Sequence, residues 1–213
     1  MDPVLLNDAA RALHLLGLAL GLGFAIKADH VASHFLFRPL DNREMDTLNS
    51  CHRTVTCGLA LFWISGAVLL WLRTGLVLDD FSKKILLKLG VVSLLTANAV
   101  FIARFALPIM REWHHACLGE LKTSVRMGLC MTAGVSAASW ASALTLGVFS
   151  GLKVMDPIKM YEVIGAVYAL GIGGALTVGM VAPAISAIAN RRSERIIQTN
   201  APEHQLQNLR PAS

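Results

Sequence analysis

Five apolar blocks, at about residues 10–35, 53–72, 85–110, 126–151 and 159–188, constrain this chain more than any other feature. A helix rises about 1.5 Å per residue, so about 20 apolar residues cross the roughly 30 Å hydrocarbon layer of a bilayer. Each block is long enough. The blocks are continuous and lack the in-out alternation of a barrel strand, and a helix pairs its backbone internally, as lipid demands. The expected fold is therefore all-α: a polytopic membrane protein, a bundle of five transmembrane helices. Charge is correspondingly scarce, at 15% of 213 residues, against about 25% in a soluble domain.

The net charge of +5 does not point to nucleic acid, because the basic residues flank the apolar blocks and form no separate basic domain. They read instead as a topology signal. One membrane side collects Lys27, Arg38, Arg43, Arg53, Arg111, Lys122, Arg126, Arg191, Arg192, Arg195 and Arg210, eleven in all. The other collects six, Arg11, Arg73, Lys83, Lys84, Lys153 and Lys159. This predicts an outside N-terminus and a cytoplasmic C-terminus in a bacterial-type inner membrane. The start Met1-Asp2-Pro3 is acidic and no cleavage pattern follows, so the first block reads as a retained span. Polar connectors are expected over Arg38–Cys51, Arg73–Lys84 and Arg111–Val125, with a tight turn at Asp156-Pro157. The polar tail, residues 190–213, is expected to be a disordered cytoplasmic segment.

Close helix contacts in lipid use small residues. Gly17 and Gly21 in the first span, Gly134, Ala138 and Ser142 in the fourth, and Gly165, Gly171, Gly173, Gly174 and Gly179 in the fifth supply them. They predict a tightly packed bundle.

With this topology all four cysteines, Cys51, Cys57, Cys117 and Cys130, fall near one surface. So do five of the seven histidines, His30, His34, His52, His114 and His115. In a reducing compartment the thiols are expected to be free. His30 and His34 are four residues apart, which puts both imidazoles on one helical face. His52, at the start of the next span, is expected at similar depth. His30, His34 and His52 could thus hold haem iron or a transition metal. Interfacial histidines and positive-inside bias account for the same pattern without a cofactor. No Cys-x-x-Cys or His-Glu-x-x-His signature is present, and no phosphate loop, Ser/His/Asp set or pair of catalytic carboxylates is legible.

Polar residues inside a span are functional candidates by default. His14 lies on the Gly17/Gly21 face and Glu162 at comparable depth at the start of the fifth span, so a His14–Glu162 proton relay or quinol contact is one expectation. Asn98, at mid-span, calls for an interhelical hydrogen bond.

The stretches "HLLGLALGLG" (14–23), "HRTVTCGLALFWISGAVLL" (52–70) and "KLGVVSLLTANAVF" (88–101) together resemble small bacterial inner-membrane proteins of the CopD-like and b-type-cytochrome-like groups. The likeness covers roughly the first half of the chain. It implies a helical bundle and haem b or copper. A departure is that spans two to five hold no histidine at mid-membrane depth, which counts against a transmembrane electron path. The leading expectation is a redox- or metal-linked membrane protein in contact with the lipid bilayer. The alternatives are a small transporter or channel subunit using Asn98 and Glu162, and an assembly partner for another membrane protein or a second copy.

Overall fold

Asp2 starts the first helix. Its carboxylate accepts from the Val4 N–H at 3.0 Å, and Pro3 fills the first helical position, where no N–H is needed. Helix α1 therefore runs Pro3–Ser33, ahead of the apolar block as well as through it. The structure is a computed structural model, and it describes residues 2–77, 79, 81–149 and 156–200. Among these there is no strand.

Helix α2 spans Asn42–Thr74, so most of the connector expected over Arg38–Cys51 is helical. The cause is a capping box. The Asp41 carboxylate accepts from the Glu44 N–H at 2.7 Å, and the Glu44 carboxylate accepts from the Asp41 N–H at 3.0 Å. The helix ends at Gly75, whose φ of 58° is a left-handed cap that suits glycine. Helix α3 (Lys83–Phe101) passes through a π-helical turn, Ile102–Ala106, into α4 (Leu107–Glu112). Pro108 has no N–H for the carbonyl of Arg104 four residues back, and the widened turn sits where that bond is missing. Helices α5 (Thr123–Val148) and α6 (Pro157–Asn200) complete the chain, with Asp156 capping α6 by accepting from the Ile158 N–H. Among the described residues, five segments are long and apolar enough to cross a membrane: α1, α2, α3 with α4, α5, and α6 as far as Ala189. Helix α6 continues to Asn200 through the start of the polar tail; residues 201–213, where disorder was also expected, lie outside the described residues.

Glycine sets the two closest helix pairs. Gly17 of α1 lies against the backbone of Gly58 and Phe62 on α2, and Gly134 of α5 against Gly171 of α6. Gly21 leaves the space that the Trp140 ring occupies, and Trp140 is 2% exposed at the centre of one apolar cluster with Leu18, Phe62 and Leu146. A second cluster, around Phe35, Met45, Leu118 and Ala182, lies toward the ends of α1 and α4 and the start of α2. Polar contacts add to the apolar packing: Trp63 Nε1 of α2 donates to Thr96 Oγ1 of α3 at 2.9 Å, and within the α5–α6 pair the Ser139 and Tyr168 hydroxyls meet at 2.8 Å. By contrast Gly165, Gly173 and Gly174 of α6 face open space, so they are not the packing surface their spacing suggested.

Ser142 is fully buried, and its hydroxyl has no hydrogen-bond partner among the described residues. A buried unmet hydroxyl costs about 1–3 kcal/mol. Ser142→Ala should therefore raise unfolding stability by about 1 kcal/mol, read from thermal denaturation in detergent. A lowered midpoint would show that the hydroxyl is paired after all.

Candidate functional site

The end of α1 builds the site. Ser33 Oγ donates to the His30 carbonyl at 2.6 Å, and His34 opens a 3-10 turn, His34–Leu36. Its carbonyl accepts from the N–H groups of Phe37 and Arg38, both at 3.0 Å. This tight turn swings Arg38 back over the first turn of α2, where the capping box has already fixed Glu44. The Glu44 carboxylate becomes a hub. It accepts from Arg38 Nη2 at 2.6 Å, from Arg38 Nη1 at 3.0 Å and from His34 Nδ1 at 2.7 Å, besides the Asp41 N–H. The Glu44 side chain is only 14% exposed, against 37% for His34 and 52% for Arg38. The hydrogen bond to Glu44 holds the Arg38 guanidinium above its usual range.

His34 thus gives its Nδ1–H to a carboxylate, which in the neutral ring leaves the lone pair on Nε2. The His30 ring stands edge-on to it, with centroids 5.3 Å apart. The structure does bring these two together. It does not bring His52 to them: among the described residues no hydrogen bond or ring contact joins His52 to either. Nor do three or more His, Cys, Asp or Glu side chains converge as a metal-holding group among those residues. The four cysteines are free thiols, three of them buried. Burial, then the nearby Glu120, pushes the Cys117 thiol up, which leaves it protonated and a poor metal ligand.

The expected His14–Glu162 pair does not form. Ser65 Oγ donates to the Leu61 carbonyl at 2.7 Å, so His14 Nδ1–H donates to Ser65 Oγ at 3.1 Å. The ring stacks on Phe62 at 3.8 Å, whereas Glu162 is exposed at the start of α6. His14 is held against α2 by Ser65 and Phe62 instead. Asn98 is buried and donates through Nδ2 to the Thr132 carbonyl on α5 at 3.1 Å. Both line a mostly apolar cavity of about 320 Å³ between α3 and α5, with Leu94, Phe101 and Met131.

One polar centre escaped the sequence reading. Arg126, counted there as an interfacial cation, is 7% exposed. Its Nε donates to the Gly179 carbonyl at 2.8 Å and its Nη1 to the carbonyls of Leu121 and Gly119 at 2.9 and 3.3 Å. Gly179 lies four residues before Pro183, which has no N–H to offer it. Arg126 therefore supplies the donor that α6 lacks. An arginine in one helix and a proline in another was the only available signal.

Comparison with known proteins places the chain in no family: no family model matches it, and neither a curated protein nor a solved structure resembles it significantly.

Proposed function

We propose that this protein is a metal- or redox-linked component of a bacterial-type inner membrane, holding a transition metal ion or haem iron at the His30–His34 pair. The observation that carries the reading is the brace behind His34, with Glu44 Oε1 2.7 Å from Nδ1 and Arg38 locked on the same carboxylate. Metal-binding imidazoles commonly give their other N–H to a carboxylate, which fixes the tautomer and raises the basicity of the free nitrogen. His30 supplies a second imidazole on the same helical face, and a transition metal ion held by both keeps further positions for small ligands. His52 stands outside this reading. The excess of Lys and Arg around the same membrane surface supports a cytoplasmic location for the pair, with the N-terminus outside. The resemblance to CopD-like and b-type-cytochrome-like proteins points the same way.

The test is metal analysis with an optical spectrum on detergent-purified protein from haem- and metal-replete cells. Bound metal or a haem Soret band is expected, lost in His34→Ala and weakened about 10–100-fold in Glu44→Gln, the usual cost of removing such a brace. His52→Ala should retain it. A colourless, metal-free wild-type preparation would remove the proposal.

A further inference from the structure

A second cavity, of about 300 Å³, opens where the first turns of α2 meet the end of α4, and it is lined by Asn42, Met45, Asp46, Arg111 and His114. That is the lower end of the range for small-ligand pockets, about 300–1,000 Å³. Met45, 3% exposed, is its apolar floor. Its walls carry opposite charges that do not meet: among the described residues neither Asp46 nor Arg111 has a salt bridge within 4.0 Å or any side-chain hydrogen bond. The contrast is with Glu44, two residues from Asp46, whose carboxylate is saturated by Arg38, His34 and the Asp41 N–H. His114 donates Nδ1–H to the Arg111 carbonyl at 2.8 Å, which leaves Nε2 free for a ligand. Both helix ends lie where apolar helix gives way to polar chain, and the neighbouring Trp113 is exposed there as interfacial tryptophans are.

A pocket at headgroup depth with a cation on one wall and a carboxylate on the other calls for a ligand carrying both charges. We infer that this cavity binds a zwitterionic phospholipid headgroup bearing a primary ammonium, the phosphate on Arg111, His114 and Asn42 and the ammonium on Asp46. Guanidinium forks match phosphate oxygens, and a primary ammonium donates hydrogen bonds that a trimethylated one cannot. Glycerol headgroups lack the cation altogether. The preferred occupant is therefore phosphatidylethanolamine over phosphatidylcholine and phosphatidylglycerol.

The full-length protein in detergent, titrated with dioleoyl forms of the three lipids and with soluble phosphoethanolamine, tests this by native mass spectrometry. Phosphatidylethanolamine should be retained about tenfold better than the other two, the worth of one charge-assisted hydrogen bond. Asp46→Asn should abolish that preference while leaving phosphatidylglycerol binding intact, and Arg111→Gln should weaken all three lipids. Arg43→Gln, which removes an exposed cation beside the cavity but not in its lining, should change neither. Equal retention of the three lipids would overturn the inference. So would an Arg43→Gln loss as large as that of Arg111→Gln, which would mean diffuse attraction, or stronger capture of soluble phosphoethanolamine than of the lipid. All the altered side chains are exposed at the surface, and gel filtration of each variant separates lost binding from lost folding.

Discussion

Arg126→Ala should cost about 1–3 kcal/mol of unfolding stability for each buried carbonyl it leaves without a donor. The reasoning starts from Pro183. Within a helix a proline breaks the bond to the carbonyl four residues back, and in lipid no water replaces it. That carbonyl belongs to Gly179, and Arg126 Nε reaches it at 2.8 Å. The same guanidinium closes the carbonyls of Leu121 and Gly119 at the turn before α5 and reaches Thr123 Oγ1 at 3.4 Å. One side chain thus ties the α4–α5 connection, the start of α5 and the middle of α6. Arg126→Lys should recover little of the loss, because a single ammonium cannot reproduce the fork that spans Gly179 and Leu121. A double-mutant cycle isolates the cause. Pro183→Ala restores an N–H for Gly179, so Arg126→Ala should be milder in that background, with a coupling of about 1–2 kcal/mol. Reversible unfolding in mixed micelles measures each corner. Strict additivity would mean that the proline and the arginine are unrelated.

Arg126 also shows why charge counting has limits. Positive-inside statistics treat every arginine near a span end alike, and the position of Arg126 in the sequence is indistinguishable from that of Arg111. What separates them is the chain folded over Arg126, in which Gly119 lies against Ala182 and Ser186 of α6. The five crossings were legible because lipid leaves a backbone few options, and the length of an apolar block measures the requirement directly. Facing was legible only in part. The i, i+4 spacing correctly put His30 and His34 side by side, yet the partner that orients His34 lies beyond a turn, on Glu44. Its signal was the Asp41-Asn42-Arg43-Glu44 capping box, which lay inside a stretch read as connector. The His14–Glu162 expectation failed for the same reason the α6 glycines misled. Spacing gives depth along the bilayer normal, while which side of a helix meets a neighbour is set by packing, and Gly165, Gly173 and Gly174 turn away from it.

The second large effect is expected where α1 crosses α2. A β-carbon at Gly58 would lie 2.8 Å from the Gly21 nitrogen and 3.0 Å from the Gly17 carbonyl oxygen, and one at Gly17 would lie 2.9 Å from the Gly58 oxygen. These are backbone atoms on both sides, so no rotamer change relieves the clash and the helices must separate. Separation would forfeit the dispersion contacts that hold helices together in lipid, where no hydrophobic drive compensates. Gly58→Ala should therefore destabilise by about 1–3 kcal/mol, and Gly58→Leu by more, as overpacking of a filled interior does. Helix propensity argues the opposite sign, since Ala exceeds Gly by about 1 kcal/mol. Gly23→Ala, on α1 with nothing within 4 Å of its β-carbon, isolates that gain and should be neutral or stabilising. Opposite signs for Gly58→Ala and Gly23→Ala in one thermal-unfolding series are the expected result. If both variants are stabilised alike, propensity governs the pair, and the α1–α2 crossing is looser than its glycines imply.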